Sequence, residues 1–219
     1  MPRTLTVAEA RKYYDRFSAK QDKQGWYEDK ALSNMCENAQ LHDATSVLEF
    51  GCGTGRLAKE LLSCHLPETA TYLGLDLSSE MVSRSRERIA PFSERAEIHL
   101  TDGDVRFDVA NKSIDRLMAC YVLDLLSDQD IDLFFSEANR VLQPDGLLCT
   151  AGLTQGNSPS SKLVSRMWSF VQSLTPSLVG GCRPLSLRDK LDEHKWSVLH
   201  HQTVTASGVP SEILIAQRI

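Results

Sequence analysis

The sequence predicts an α/β fold in which a doubly wound, mostly parallel sheet of seven strands carries helices on both faces. Short apolar segments alternate with amphipathic ones between residues 46 and 153, which is the pattern of a parallel sheet with crossover helices. The last segments form a hairpin signal instead, so the sheet should end antiparallel. With 219 residues, the chain is long enough for one domain with a full hydrophobic core.

The composition narrows the class of protein. Hydrophobic residues make up 42% and charged residues 24%, and no apolar run approaches the roughly 20 residues of a membrane helix. The net charge of −5 argues against a broad nucleic-acid surface. The first residues lack the apolar core of a signal peptide, and the six cysteines have no CxxC spacing. We therefore expect a cytoplasmic protein with no bound metal and no nucleic-acid partner.

Residues 1–42 are predicted to form an N-terminal helical cap. Thr6 and Glu9 have the spacing of a capping box and should open a first helix. The polar residues 19–25 are expected to be a loop, and a second amphipathic helix follows them.

Residues 43–153 are predicted to hold the first five strands and a ligand-binding core. These strands are expected at residues 46–50, 71–75, 96–100, 114–122 and 147–153. The best-defined helices between them are residues 81–89, capped by Ser78 or Ser79, and residues 128–142. Pro144, Asp145 and Gly146 predict a turn.

The rest of the chain is predicted to complete the domain. Residues 154–185 should be a lid insertion that contains an amphipathic helix at 160–174. In residues 186–219, Ser186 should cap a short helix at 187–194, and two strands should follow at 196–205 and 212–217. The turn between these strands is expected at residues 208–210.

The most informative segment is the glycine-rich loop after the first strand, which reads EFGCGTG over residues 49–55. Glycine permits positive φ angles and a close approach of the backbone to a ligand. The following helix N-terminus adds free amides and the positive end of a dipole. A ligand in an open α/β sheet binds beyond the carboxyl ends of the strands, so this loop is the expected cofactor site.

The spacing of the loop favours one cofactor class over another. Its pattern is GxGxG, with Arg56 where a dinucleotide-binding GxGxxG loop has its third glycine, and the chain has no YxxxK pair. Asp76 ends the next strand about 20 residues later, the spacing at which an acid accepts hydrogen bonds from ribose hydroxyls. A nicotinamide-dependent oxidoreductase is therefore disfavoured.

Five segments resemble, in order, the motifs of the class I S-adenosylmethionine-dependent methyltransferases. They are VLEFGCGTG at 47–55, YLGLD at 72–76, DGDV at 102–105, and residues 114–123 and 140–148. The resemblance covers roughly half of the chain. It is greatest to the small-molecule branch that includes the ubiquinone and menaquinone C-methyltransferases. It implies a Rossmann-like fold, S-adenosylmethionine as cofactor and methyl transfer to a small-molecule acceptor.

The resemblance also implies which residues hold the cofactor. Asp76 would bind the ribose hydroxyls, and Asp104 would accept from the adenine amine, with Asp102 as the competing candidate. Cys120 and Tyr121 would line the sulfonium side, or else pack as ordinary strand-end residues. The full set implied at the cofactor is Glu49, Gly51, Cys52, Gly53, Gly55, Asp76, Leu77, Met81, Gly103, Asp104, Val105, Cys120 and Tyr121.

Tyr14 and Asp124 are the candidate catalytic residues on the acceptor side. In the family a Tyr-Asp pair such as Tyr14-Asp15 often lies over the cofactor, so Tyr14 is either a lid residue or a helix-packing residue. Asp124 follows the fourth strand, where related C-methyltransferases often have histidine. It is a candidate base, or else a solvated loop aspartate. A base is needed only if the acceptor must lose a proton.

Two other functions stay open at this point. A nucleic-acid or protein methyltransferase is disfavoured by the acidic balance and by the absence of an Asn-Pro-Pro-Tyr type motif after the fourth strand. A non-catalytic module that binds S-adenosylmethionine would share the glycine loop and Asp76.

Overall fold

The computed structural model describes residues 4–156, 159–174, 180–191 and 196–218, and it confirms the predicted α/β fold class. Within these residues one sheet has seven strands: β1 (Ser46–Phe50), β2 (Thr71–Asp76), β3 (Ala96–Leu100), β4 (Ile114–Cys120), β5 (Leu142–Leu153), β6 (Trp196–Ala206) and β7 (Val209–Arg218). The α-helices are α1 (Val7–Gln21), α2 (Gly25–Asn38), α3 (Arg56–Glu60), α4 (Ser79–Ile89), α5 (Asp128–Val141) and α6 (Pro159–Leu174).

The strand order places a ligand site at one end of the sheet. The order is β3-β2-β1-β4-β5-β7-β6, with β1 to β5 parallel and β7 antiparallel to both of its neighbours. From β1 the chain first adds strands on one side of the sheet, and from β4 it adds them on the other side, so a topological switch point lies between β1 and β4. Ligands of open α/β sheets bind at such a switch point, beyond the carboxyl ends of the strands. The glycine loop leaves β1 at this position.

The sheet separates two hydrophobic cores. Alternate residues of β1 face opposite sides, so Val47 packs with the helices α2, α3 and α4, and Leu48 packs with α5. Phe134 lies at the centre of the second core with no exposed surface, and its ring contacts those of Phe50 and Phe107. The two cores together fix the ends of β1 and β4 from both faces.

The predicted loop at residues 19–25 is wrong, because this stretch is helical. Helix α1 runs to Gln21, a 3₁₀ turn covers Asp22–Gln24, and α2 begins at Gly25. Arg88 pairs with Asp22, and the Thr54 hydroxyl donates to the same carboxylate at 2.6 Å. These tertiary contacts hold a polar but helix-compatible sequence in the helical state.

The predicted turn at Pro144, Asp145 and Gly146 also differs from the structure. These residues lie inside β5, where the pairing with β4 is irregular: Ile114 pairs with Leu142, but Arg116 pairs with Leu147. The extra residues bulge out of the ladder, at a place where proline has no N–H to contribute.

Smaller differences concern the ends of elements. Ser78, rather than Ser79, caps α4. The last hairpin turns at Ser207 and Gly208, both at positive φ, one step earlier than expected. In place of the predicted helix at 187–194, the structure has a 3₁₀ turn over Arg188–Lys190. Residues 192–195 of that prediction lie outside the described ranges, as do residues 157–158 and 175–179 of the predicted lid. None of the described helices is long and apolar enough to cross a membrane.

We expect the Phe134→Ala variant to lose about 3–5 kcal/mol of unfolding free energy, because it removes a fully buried ring from the centre of one core. The neighbouring Leu133 is 46% exposed, so Leu133→Ala should change the same quantity by less than about 0.5 kcal/mol. Urea denaturation followed by circular dichroism measures both. Equal losses in the two variants would contradict the placement of Phe134 in the core.

Candidate functional site

The glycine loop leaves β1 in a conformation that requires glycine. Gly51, Gly53 and Gly55 have φ angles of 76°, 54° and 73°, which side chains disfavour. A Cβ atom on Gly51 would lie 2.7 Å from a Val122 methyl group. The loop therefore presents bare backbone to the space in front of the sheet, and Gly55 caps the start of α3.

The loop is anchored to the end of β2. The amides of Gly51 and Cys52 donate to the carbonyl oxygen of Leu75 at 2.8 and 3.0 Å. The Gly53 amide donates to Asp76 Oδ2 at 2.8 Å, and the other oxygen, Oδ1, accepts from the Ser78 amide at 2.9 Å. Asp76 thus fixes the loop with part of its acceptor capacity, because a carboxylate can accept about four hydrogen bonds.

Helix α1 covers this end of the sheet. The Arg11 guanidinium donates to the carbonyl oxygens of Leu77 and Thr101, at 3.1 and 3.2 Å. The Ser78 hydroxyl donates to Asp15 at 2.6 Å. These bonds connect α1 with the residues that follow β2 and β3, so the N-terminal helix forms a roof over the glycine loop.

A cavity of about 1120 Å³, including its open mouth, lies between this roof and the sheet. Most of the residues predicted for a cofactor or acceptor line it, namely Tyr14, Gly51, Gly53, Asp76, Leu77, Met81, Gly103, Asp104, Val105, Cys120 and Tyr121. Four other predicted residues do not line it: Glu49, Cys52, Gly55 and Asp124.

One end of the cavity combines apolar walls with an exposed carboxylate. Buried Met81 and Val105 line this end. Asp104 lines the cavity, whereas Asp102 lies outside and accepts from the Asp104 amide at 3.2 Å. Of the two alternatives that the sequence left open, the position of Asp104 is therefore the better one for contact with a ligand.

The other end of the cavity lies against the end of β4. Cys120 and Tyr121 line it, and Tyr121 has a φ angle of 53° at the residue after the strand, where its ring contacts that of Tyr27 edge to face. The Tyr121 hydroxyl donates to Ser211 Oγ at 2.9 Å. Opposite, the Tyr14 hydroxyl donates to the Gly180 carbonyl oxygen at 3.1 Å. Tyr14 thereby connects the roof with the segment that follows α6.

Burial governs the ionisation of Tyr14. It raises the pKa of this phenol well above its ordinary value, and Cys182 and Asp124 add to the shift. The hydroxyl is therefore neutral at physiological pH. Such a group can position a ligand by hydrogen bonding, but it does not supply a phenolate base.

Glu49 lies behind the glycine loop rather than in the cavity. It is 2% exposed and accepts a short hydrogen bond from the Tyr72 hydroxyl. Burial raises the pKa of Glu49 to about 7, although the Tyr72 hydroxyl opposes that shift. Any effect of this carboxyl on a ligand would act through the loop backbone.

Asp124 is not the solvated loop residue that the sequence left as an alternative. It lies in a 3₁₀ turn after β4, is 2% exposed, and borders a small second cavity together with Glu212. Burial raises the pKa of Asp124 to about 7, and Glu28 adds to the shift. This position behind the cavity wall does not favour direct contact with an acceptor, and the role of Asp124 as a base stays a prediction.

Several cavity residues carry no motif and were missed by sequence reasoning. The side-chain amide of Gln21 lies against Gly53, and its Oε1 atom is buried without a hydrogen-bond partner. Gln21 is the last residue of α1, in the stretch expected to be a loop, so only the helical continuation brings it here. The others include Leu5, Leu125, Ser127, Asp130 and Gly180.

Comparison with known proteins agrees with the resemblance seen in the motifs. Residues 47–146 match the model of the family described as a methyltransferase domain. The malonyl-[acyl-carrier protein] O-methyltransferase of Marinomonas sp. (strain MWYL1) is 30% identical over 72% of this chain and 55% of that protein. The demethylmenaquinone methyltransferase of Desulfitobacterium hafniense (strain Y51) is 26% identical over 64% and 54%. The chain thus spans about half the length of the curated relatives it matches.

A solved structure extends the similarity to the whole fold. The N-methyltransferase NodS from Bradyrhizobium japonicum WM9, in complex with S-adenosyl-L-homocysteine, superposes with a TM-score of 0.69. The alignment covers 95% of this chain and 98% of that one at 15% identity.

Replacing Glu49 by Gln should stabilise the protein increasingly as the pH rises. Folded Glu49 keeps its proton up to about pH 7, whereas the unfolded chain releases it near the ordinary value of 4.5. This carboxyl therefore lowers the free energy of unfolding as the pH rises from about 4.5 to about 7. Because E49Q does not titrate there, its free energy of unfolding relative to wild type should increase between about pH 5 and pH 8.

Urea denaturation at several pH values measures that difference. Leu133→Ala is the control, because it changes no titrating group and its offset from wild type should stay constant. If the offset of E49Q were also independent of pH, Glu49 would ionise alike in the folded and unfolded chains.

Proposed function

Because residues 47–146 match the methyltransferase domain family, we propose that the chain is a class I S-adenosylmethionine-dependent methyltransferase that transfers a methyl group from S-adenosylmethionine to a small-molecule acceptor. The observation that carries this proposal is that a glycine loop without side chains at its turns is hydrogen-bonded to a carboxylate at the end of the next strand. Gly53 and Asp76 are joined by a 2.8 Å hydrogen bond, and both line one cavity at the switch point of the sheet. Catalysis, and not merely cofactor binding, is part of the proposal.

The residues at the loop fit the methionine part of the cofactor. Gly53 has no side chain to fill the space beside it, and the Gln21 amide borders that space. The amides of Gly51, Cys52 and Gly53 already donate to Leu75 and Asp76, so the carboxylate group is assigned to the amides at the start of α3. The buried and unpartnered Oε1 atom of Gln21 is an acceptor that suits an ammonium group. We assign these groups to the two charged ends of the amino acid.

The rest of the cavity fits the adenosine part. Asp76 retains acceptor capacity beyond its two backbone bonds, which suits the ribose hydroxyls. Leu77, Met81 and Val105 provide apolar surface for the adenine ring, and Asp104 provides an acceptor for its amine. Glu49 and Cys52 support the loop from behind in this assignment.

Methyl transfer needs little chemistry from the protein. When bound, S-adenosylmethionine supplies a methyl group on a positively charged sulfur atom. The neutral thioether that remains after transfer is a good leaving group. The protein must hold the acceptor in line with that methyl group and exclude water. The roof formed by α1 and the neutral hydroxyl of Tyr14 are positioned for these two tasks. We therefore propose Tyr14 as the catalytic residue in contact with the acceptor.

We propose an acceptor with a largely apolar body. Tyr14, Tyr121 and Leu125 contribute aromatic and aliphatic surface to the cavity, while Ser127 and Asp130 offer polar groups. One of the relatives is named for demethylmenaquinone, and that agrees with an apolar acceptor for this chain. The acidic balance of the chain argues against nucleic acid as acceptor.

The first test is the binding of S-adenosylhomocysteine to wild type and to Asp76→Ala, measured by calorimetry. Loss of two charge-assisted hydrogen bonds should weaken binding by about 100-fold or more. The control is Asp145→Ala, which removes an exposed carboxylate near the start of β5, at the opposite end of the sheet, and should bind like wild type.

Asp76 also anchors the loop, so Asp76→Asn is a necessary companion. It keeps the shape and one acceptor oxygen, and its affinity should lie between those of wild type and Asp76→Ala. Unchanged affinity in Asp76→Ala would refute the ribose assignment. A folded wild-type protein that binds no S-adenosylhomocysteine would refute the proposed function.

The same titration separates the two neighbouring aspartates. Asp104→Ala should weaken S-adenosylhomocysteine binding by about tenfold, as expected for one lost hydrogen bond to a charged group. Asp102→Ala should weaken it less, because Asp102 acts only through the Asp104 amide. The reverse order would assign the adenine contact to Asp102.

A further inference from the structure

Helix α6 has an exposed apolar stripe on its outer face. Leu163, Met167 and Phe170 are 60%, 62% and 65% exposed, three of the highest values for large apolar residues of the described chain. Their spacing of four and three residues places them on one side of the helix. Large apolar side chains this exposed and this close together mark an interaction surface more often than a solvated one.

The opposite face of α6 already holds the helix on the protein. Val164, Ser165 and Trp168 border a narrow space against the start of β7, and the Trp168 indole donates to the Cys182 carbonyl oxygen at 3.0 Å. Gln172, one turn further on, is buried on this side. Contacts of this inner face therefore hold the helix against the protein, while the three side chains of the stripe keep most of their surface exposed.

The charge of α6 has a single sign. Lys162 and Arg166 are exposed, and by helical spacing both lie along one side of the stripe formed by Leu163, Met167 and Phe170. The 16 residues of the helix include no Asp or Glu, although the whole chain has a net charge of −5. A basic, apolar face thus stands out on an otherwise acidic protein.

We propose that the outer face of α6 binds the surface of an anionic phospholipid membrane. Helices that lie in a membrane interface combine large apolar side chains with flanking Lys and Arg, which reach the lipid headgroups. At 1.5 Å per residue, a helix of this length lies along the surface and is too short to span the bilayer.

A second copy of the chain suits this face less well. A two-fold dimer through α6 would bring the same patch against itself. Lys162 and Arg166 of both copies would then bring four positive charges to one interface, with no Asp or Glu of α6 to pair them, and like charges at an interface cost free energy. A lipid surface accepts the three convex apolar side chains and pairs both cations.

This surface is connected with the lining of the cavity. Trp168 bonds to the backbone of Cys182, and nearby Gly180 both lines the cavity and accepts from Tyr14. Trp26, which is 58% exposed, contacts Tyr27, a member of the same apolar cluster as Trp168. Membrane binding would place the cavity near the lipid phase, so the acceptor class is a membrane-dissolved apolar molecule. That last step rests on the proposed function.

Vesicle flotation of the full chain tests the proposal. Wild type should float with vesicles of phosphatidylcholine that contain about 30% phosphatidylglycerol, and less with phosphatidylcholine alone. Raising the salt concentration from about 0.1 M to about 0.5 M should reduce binding, because it screens the cations. The double variant Leu163→Ser with Met167→Ser should bind at least about tenfold more weakly, since it removes two inserting side chains.

The controls separate this surface from the cofactor site. Leu133→Ser removes an exposed leucine from α5 and should float like wild type. Asp76→Ala should float normally although it loses S-adenosylhomocysteine, and the α6 double variant should bind S-adenosylhomocysteine normally. Flotation without cofactor binding in wild type would keep the membrane surface and refute the proposed function.

Two outcomes overturn the proposal. One is that wild type fails to float with either kind of vesicle. In that case sedimentation analysis shows whether the α6 double variant dissociates a dimer, which would assign the face to a second copy. The other is that wild type and the double variant float equally, which would place the lipid contact elsewhere on the chain.

Discussion

The attachment of the glycine loop to the end of β2 is the constraint on which the rest of the site depends. Three consecutive amides, those of Gly51, Cys52 and Gly53, donate to the Leu75 carbonyl oxygen and to the Asp76 carboxylate. A loop with side chains could not follow this path, because the angles are left-handed and the neighbours are close. Once the loop is fixed, the start of α3, the position of Asp76 and the floor of the cavity are fixed as well.

The cofactor half of the site could be predicted from the sequence because local rules determine it. Buried strands, positive-φ glycines and a strand-end acid each leave a pattern in the chain, and parallel pairing brings their ends together. The glycines and Asp76, which these patterns predicted, line one cavity with most of the residues that the family resemblance implied, Asp104 among them. Glu49 was placed in contact with the cofactor on family resemblance, whereas its strand position turns it toward Tyr72 behind the loop.

The first helix of the roof was predicted from its capping box, but the end of the roof was not, because tertiary contacts decide its conformation. Residues 19–25 are polar in sequence, and only the pairing of Asp22 with Arg88 and Thr54 shows why they stay helical. The helical path carries Gln21 to Gly53, which no spacing rule would suggest. The burial of Asp124 could not be predicted for a similar reason. It follows a strand, as many solvated aspartates do, but the segment through Arg183 covers it. The Arg183 amide donates to the Asp124 carbonyl oxygen.

The two halves of the site therefore have different physical origins, and this division bears on what each can specify. The cofactor half is rigid, since its groups belong to strand ends held by two hydrophobic cores. The acceptor half is assembled from α1 and the segment after β5, which meet at the bond between Tyr14 and Gly180. That bond is a single contact between two elements outside the sheet, so it can open at a lower cost than the ladder of bonds within the sheet. Helix α6 is held to the same segment by the bond between Trp168 and Cys182. The free energy of binding a surface to its outer stripe would shift the balance between the open and closed states of the bond between Tyr14 and Gly180. A surface that engages α6 would thus act on the acceptor side of the cavity, while Asp76 and the glycine loop keep their geometry.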